Sequence, residues 1–212
     1  MSDFDFFFTF FTLLLGLAVG EILSRFANAI DAHPRRPIGW VTPLLAIFFL
    51  FDIAAFWLWT WTLRDEFVVS WEGVFLTLLV ATAYFLSGAL VFPREIHDWD
   101  SLDHHFRARK RHVLAGMLVA NIVLIVVVSV MFGAPGLDDG WFYFYQGAYF
   151  VPLAVLWFSK SIRLDVGILI FLIVQYQFPY LGLFPETRWG ERSGINDTLD
   201  LSASTTGERH PK

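Results

Sequence analysis

The sequence predicts an all-α fold, a polytopic transmembrane helical bundle of six spans with both termini extracytoplasmic. The first observation is composition, because 56% of the 212 residues are hydrophobic and only 17% are charged. In a soluble chain, roughly a quarter of the residues are usually charged. The second is the presence of six apolar segments, each near the length of about 20 residues that crosses a bilayer. The third is the alternation of basic residues between successive loops.

The spans are predicted at about 6–27, 38–63, 67–92, 112–132, 141–160 and 164–184, within one helical domain of residues 1–186. They occupy most of the chain and leave no room for a separate soluble domain. Residues 187–212 form a polar tail with few large apolar groups. Such a segment buries too little apolar surface to offset the entropy of ordering, so we expect the tail to be disordered.

The distribution of lysine and arginine predicts the orientation. The first, third and fifth loops hold ten basic residues: Arg25, Arg35, Arg36, Arg94, Arg107, Arg109, Lys110, Arg111, Lys160 and Arg163. The second loop holds Arg64, and the fourth, residues 133–140, holds none. Basic loops favour the cytoplasmic side. Three cytoplasmic loops and an even number of spans place both termini outside. We expect a multi-pass protein of a plasma membrane, in the general style of bacterial inner-membrane proteins.

Absent residues and motifs narrow the function. The sequence has no cysteine, which excludes disulfides, thiol catalysis, Cys-ligated zinc and iron–sulfur clusters. No histidine lies inside an apolar core, which argues against intramembrane haem with two axial histidines. Hydrolase, zinc-protease and phosphate-loop motifs are missing. We therefore expect no cofactor and favour a protein that is not an enzyme. The net charge of −5, without a basic footprint, argues against nucleic-acid binding.

Asp52 is the sharpest functional candidate, because it falls near the middle of the second span. A charged carboxylate at that depth costs about 3 kcal/mol on insertion scales. It must be protonated, paired or turned towards a hydrated interior, and no lysine or arginine lies at matching depth. The expected partners are Asn121, Gln175 and Tyr84. One interpretation is a structural hydrogen-bonded knot that fixes helix pairing, and the other is a proton or cation site.

The first span carries two further patterns. Thr12, Gly16, Gly20 and Ser24 recur every four residues and form one stripe of small side chains, which predicts close helix packing. Glu21 and Arg25 are also four apart, with the acid first, as in a favourable helical ion pair. We expect this pair near the cytoplasmic interface, either as a helix cap or as a gate.

The third loop is rich in histidine and aspartate. His97, Asp100, His104 and His105 are candidate metal ligands, because imidazole with carboxylate suits several divalent metals. Their spacing matches no specific motif. Interleaved apolar residues favour instead a short helix at the headgroup level, with Arg107, Arg109, Lys110 and Arg111 on anionic lipid.

Three classes of function remain open. The first is transport or permeation of a proton or small ion through Asp52. The second is a non-catalytic membrane subunit that docks protein or lipid partners through the small-residue stripe and aromatic faces. The third is a lipid-acting enzyme that uses the His/Asp-rich loop. The expected partners are membrane lipids and either a second copy of the chain or another protein of a membrane complex.

Overall fold

The computed structural model describes residues 3–32, 39–64, 70–95 and 98–178, and in these ranges the chain is helical without strands. The helices, in chain order, are α1 Asp3–Ala32, α2 Val41–Thr62, α3 Trp71–Val91, α4 Leu102–Phe132, α5 Gly140–Phe158 and α6 Ile162–Gln175. The end of the predicted sixth span, the polar tail, His97, Arg35 and Arg36 lie outside the described residues.

Four of these helices are long and apolar enough to cross a membrane. Within the described residues they cover Phe4–Asp31, Val41–Trp61, Trp71–Val91 and Leu102–Phe132. In each helix one stretch of 18 residues is strongly apolar, with mean hydropathies of 2.1, 2.1, 2.2 and 2.8 in chain order. Large apolar side chains also cover the outside of the bundle, and Val130 is 80% exposed. An exposed apolar surface of this extent suits lipid rather than water. The chain is therefore an all-helical protein whose first four helices support membrane insertion.

Side-chain caps explain where several helices begin. Ser70 accepts a hydrogen bond from the Gly73 amide at 3.1 Å, and Ser101 accepts one from the His104 amide at 3.2 Å. Such caps satisfy amides that have no partner within the helix. Helix α4 begins at Leu102, ten residues before the predicted start of the fourth span at residue 112, and is continuous through that position. No glycine or proline interrupts residues 102–112, so the third-loop segment forms the first turns of α4 rather than a separate interfacial helix.

Interhelical hydrogen bonds show which helix ends lie together. Arg25 near the end of α1 donates to the Phe92 carbonyl after α3 at 3.2 Å, and Thr42 near the start of α2 donates to the Leu102 carbonyl of α4 at 3.2 Å. We call the side where α2, α4 and α6 begin the basic end. Arg107, Arg109, Lys110, Arg111, Lys160 and Arg163 belong to it, as does Arg25.

Helix α3 packs between α1 and α4, and small residues permit the close approach. A Cβ atom at Gly88 would lie 3.1 Å from an Ile22 side-chain carbon of α1. A Cβ atom at Gly116 of α4 would overlap the Ser87 hydroxyl of α3 and lie 2.8 Å from the Ala83 carbonyl. These two glycines therefore mark the tight contacts between α3 and its neighbours.

Within the described residues, most of the small-residue stripe of α1 lies away from the packed face of the helix. Gly16, Gly20 and Ser24 are exposed, and a Cβ atom at either glycine would meet nothing within 4 Å. Thr12 is half-buried and accepts a hydrogen bond from the indole of Trp57 at 2.9 Å. The buried face of α1 is instead apolar and mostly made of large side chains: Phe4, Phe7, Phe8, Phe11, Leu15, Ala18, Ile22 and Ala29.

Gly116→Ala is expected to destabilise the bundle by about 1–3 kcal/mol, the usual cost of overpacking a filled interface. Thermal unfolding in detergent measures the effect, with Gly167→Ala as the matched control, because a Cβ atom at Gly167 meets nothing within 4 Å. Equal unfolding temperatures for the two variants would contradict the close α3–α4 contact.

Candidate functional site: a buried carboxylate shared by five helices

Asp52 lies at the centre of the bundle. It comes eleven residues after the start of α2 and ten before its end, so it sits roughly 15–16 Å from either end of the helix at 1.5 Å per residue. Its residue surface is only 2% exposed. A carboxylate in this position has exchanged its water for protein partners, and such burial is unfavourable unless those partners donate hydrogen bonds.

Four side chains from four other segments supply these donors. Tyr84 of α3 donates to Asp52 Oδ2 at 2.9 Å, and Tyr149 of α5 donates to Oδ1 at 2.9 Å. Tyr176, directly after α6, donates to Oδ1 at 2.6 Å. The Asn121 amide of α4 lies 3.2 Å from Oδ2 and 3.3 Å from Oδ1. The two oxygens of a carboxylate offer about four acceptor positions, so four donor groups suit its capacity.

Aromatic rings surround the carboxylate and hold the phenols in place. The ring of Tyr84 is edge-on to Phe49 and Phe56, with centroids 5.7 and 5.5 Å apart. Phe48 contacts the rings of Tyr149 and Tyr176 at 6.3 and 6.1 Å. Edge-to-face and tilted contacts of this kind are favourable aromatic geometries. The rings therefore orient the three hydroxyl groups and keep lipid and water away from the carboxylate.

The structure brings together three of the four residues predicted for this site. Tyr84 and Asn121 lie within hydrogen-bond distance of Asp52, as above. Gln175, the last residue of α6, is half-buried and is not among the donors to Asp52 in the described part of the chain. Its neighbour Tyr176 holds that position, because one residue along a helix turns the side chain by about 100°. Tyr149 and Tyr176 were not predicted.

A repeated spacing in the sequence could have revealed Tyr176. Along each of the three helices that begin at the basic end lies a set of four residues separated by four, three and four positions. The first three residues of each set are buried, and the fourth belongs to the Asp52 site. The sets are Val41, Leu45, Phe48 and Asp52 in α2, Lys110, Leu114, Met117 and Asn121 in α4, and Asp165, Leu169, Leu172 and Tyr176 along α6. Eleven residues make about three turns at 3.6 residues per turn, so the first and last members share one helix face.

A second polar contact lies on these faces near the basic end. Lys110 of α4 donates to Asp165 Oδ2 of α6 at 2.8 Å and to the Ser159 carbonyl between α5 and α6 at 2.8 Å. The side chains of Lys110 and Asp165 are only 4% and 1% exposed. The expectation that Lys110 contacts anionic lipid is wrong, because its ammonium group turns inward to this pair. Arg111 donates to the Trp157 carbonyl at 3.1 Å.

An apolar layer separates the ion pair from the Asp52 site. Side chains with no exposed surface occupy the intervening positions of α4, α5 and α6: Leu114, Met117, Leu153, Leu156, Leu169 and Leu172. The two polar levels are about 16 Å apart along α4 and α6, given eleven residues at 1.5 Å each. Close-packed side chains leave few spaces for water, so this layer closes the interior between the two levels.

On the other side of Asp52, an apolar groove opens between α1, α2, α3 and α4. Its cavity volume is about 70 Å³, and its lining includes Phe11, Phe56, Thr60, Thr77 and Val123. Both threonine hydroxyls donate to carbonyls of their own helices, at 2.9 and 2.8 Å. The groove therefore presents hydrocarbon and aromatic surface, and the Phe56 ring stands between it and Tyr84.

The ion pair predicted in α1 is present at the basic end. Arg25 donates to Glu21 from Nε at 2.6 Å, and its side chain is 19% exposed. The same guanidinium reaches the Phe92 carbonyl. Arg25 thus links the C-terminal part of α1 to the end of α3.

The candidate metal ligands of the third loop do not converge in the described residues, among which no group of three or more His, Asp or Glu side chains is placed to hold a metal ion. His104 is exposed, with Nδ1 3.7 Å from Asp100 Oδ2. His105 is 3% exposed and stacks edge-on against Trp99 with centroids 4.8 Å apart. The two histidines are adjacent on α4 and point in different directions, as helical geometry requires.

The chain matches no protein-family model, no curated protein and no solved structure. Any function must therefore be inferred from the side chains of the site.

Replacing one phenol of the site is expected to destabilise the bundle modestly. Tyr84→Phe, Tyr149→Phe and Tyr176→Phe should each lose about 1 kcal/mol, the scale of interhelical hydrogen bonds in membranes. The largest loss is expected at Tyr176, whose hydrogen bond is shortest. Unfolding in mixed detergent measures the free energies.

Tyr143→Phe is the matched control, because the Tyr143 hydroxyl is exposed and reaches the Pro135 carbonyl only at 3.4 Å. If the control loses as much stability as the three site variants, the hydrogen bonds to Asp52 are not what stabilises the bundle.

Proposed function

We propose that this protein translocates a proton or a small cation across a plasma membrane, with Asp52 as the group that binds it. In this proposal the chain crosses the membrane six times, both termini are extracytoplasmic, and the basic end faces the cytoplasm. One observation carries the proposal: a single carboxylate at mid-depth accepts hydrogen bonds from Tyr84, Asn121, Tyr149 and Tyr176. In the described part of the chain, no lysine or arginine contributes to that set.

An ionisable group at the bilayer centre is costly, and such groups commonly mark ion or proton paths. Two neutral amides could link the same helices without that cost. What a carboxyl group adds is the capacity to bind and release a proton. The hydrogen-bond donors of the site support the ionised form, and the aromatic shell around it resists the entry of bulk water.

The tyrosine hydroxyls allow the site to change state without losing its packing. An ionised carboxylate only accepts hydrogen bonds, whereas a protonated one also donates. When Asp52 takes up a proton, one hydroxyl has to reverse and accept. The Tyr149 oxygen already acts as an acceptor, because the Asn121 amide nitrogen donates to it at 2.9 Å. Reversing a hydroxyl requires only rotation of its hydrogen, and the rings stay in place.

Two donors stand on parts of the backbone that are easier to rearrange. Pro152 lies inside α5, three residues after Tyr149, and a proline removes one helical hydrogen bond. Tyr176 belongs to the turn that follows α6, where the Phe178 amide donates to the Gln175 carbonyl at 3.2 Å. Protonation of Asp52 therefore acts first on α5 and α6, while Tyr84 and Asn121 remain on uninterrupted helices.

A second candidate function is that of a non-catalytic membrane subunit. The exposed stripe formed by Gly16, Gly20 and Ser24 favours it, because small residues support close helix association in membranes. In that case Asp52 is a structural knot, and the protein alone moves no ions.

Asp52→Asn is expected to abolish proton or cation flux in liposomes that contain the purified protein, because the amide keeps the shape of the site but cannot titrate. Flux is followed with a pH-sensitive dye and with cation-sensitive dyes inside the vesicles. Asp100→Asn is the matched control, since the same change is made on a side chain that is 94% exposed.

Each outcome separates the two candidates. Flux in the wild type and in Asp100→Asn that disappears in a folded Asp52→Asn variant supports transport through Asp52. Wild-type flux that Asp52→Asn retains removes Asp52 from the path. No flux in the wild type contradicts transport and supports the membrane subunit.

A further inference from the structure

The Lys110–Asp165 ion pair has no part in the hydrogen bonds around Asp52, yet it is aligned with them. Lys110 and Asn121 are eleven residues apart on α4, and Asp165 and Tyr176 are eleven apart along α6. Both intervals are about three helical turns. The two helices meet directly in the ion pair, and at the central level each supplies one donor to Asp52. Among the described residues, buried apolar side chains of α4 and α6 lie between the levels.

The pair is also incompletely satisfied. Asp165 Oδ2 accepts from Lys110 at 2.8 Å, whereas Oδ1 is buried and accepts no hydrogen bond within the described structure. Attraction between two buried charges only partly offsets their loss of hydration. When this ion pair separates, both charges and the free carboxylate oxygen become hydrated, which offsets part of the lost attraction. The free-energy difference between the closed and separated states is therefore smaller for the ion pair than for a packed apolar contact.

Lys110 holds two different parts of the chain at once. Its ammonium group contacts Asp165 near the start of α6 and the Ser159 carbonyl in the connection from α5. It therefore fixes the ends of α5 and α6 against α4. A lysine has a long aliphatic stem, so its charge can reach water beyond the helix end when the contact breaks.

We propose that the Lys110–Asp165 ion pair is the gate between the basic end and the Asp52 site. This inference rests on the proposed function. In the closed state the pair holds α5 and α6 over the apolar layer around Met117. Separation of the pair lets the ends of these helices move from α4, both charges become hydrated, and water reaches the layer that isolates Asp52.

The absence of native cysteine permits a test that does not depend on transport. Met117→Cys places one thiol in the apolar layer, where the native side chain has no exposed surface. A membrane-impermeant maleimide is added from the basic end, with and without the second change Asp165→Asn. We expect labelling to be slow with the intact pair and about tenfold or more faster without it, because a buried charge that loses its partner strongly destabilises the closed contact.

Val128→Cys is the control for general loosening, because Val128 is also fully buried in α4 but lies on the far side of Asn121. Its labelling should stay slow in both backgrounds. The charge exchange Lys110→Asp with Asp165→Lys should restore slow labelling of Met117→Cys. Equal labelling of Met117→Cys in all backgrounds would overturn the gate, and so would equal acceleration at Val128→Cys.

A double variant keeps the test valid where Asp165→Asn does not fold. Lys110→Met with Asp165→Leu replaces the pair with apolar side chains, an exchange that buried ion pairs often tolerate. The apolar Met–Leu contact gains nothing from hydration when it separates, so the gate should stay closed. Met117→Cys should then remain protected from labelling, and flux should fall at least about tenfold. Wild-type flux through this variant would overturn the gate. If the wild type shows no flux but Asp165→Asn still accelerates labelling of Met117→Cys, transport is refuted. The inference that the ion pair closes the basic end is supported in that case.

Discussion

A carboxylate inside a hydrocarbon layer must find its hydrogen-bond donors within the protein, and the centre of this bundle is arranged around that requirement. Asp52 belongs to α2, but its four donors in the described part of the chain come from α3, α4, α5 and the turn after α6. Each of these segments has to bring one polar atom to the same depth. The contact therefore fixes the longitudinal register of five helices, which apolar packing alone leaves less strictly determined.

The rest of the interior follows from this central point. Towards the basic end the stripes of α2, α4 and α6 become apolar for two turns and then polar again in α4 and α6, where Lys110 and Asp165 meet. On the other side of Asp52, hydrocarbon and aromatic side chains line the groove beside Phe56. The bundle is thus asymmetric about the carboxylate, with a buried ion pair between helices on one side and an apolar groove on the other.

The sequence was sufficient for the coarse features because those depend on composition and local patterns. Apolar segment length predicted helices that support membrane insertion, and four of them carry this character in the structure. Asp52 was identifiable as a single acid in an apolar run. Tyr84 and Asn121 were identifiable because their depth along separate helices could be counted.

The remaining features depend on helix rotation and on partners distant in sequence. Gln175 and Tyr176 are neighbours, and only the rotation of α6 decides which one faces Asp52. Lys110 stands in a run of basic residues, where its inward direction is invisible without knowledge of Asp165, 55 positions later. The stripe of α1 shows the same limit, because small residues indicate that close approach is permitted but not which surface approaches.

The position of Asp52 along the chain has a consequence for biogenesis. All four donors follow it in the sequence, the nearest 32 residues later and the last 124 residues later. During synthesis from the N-terminus, α2 is complete before any of the four residues that donate to Asp52 exists. An isolated α2 would enter the lipid with an unsatisfied acid, which costs about 3 kcal/mol on insertion scales. Stable integration of α2 therefore favours either a protonated Asp52 or delayed entry of α2 together with α3. The hydrogen-bond network around Asp52 is complete only after Tyr176 has emerged from the ribosome.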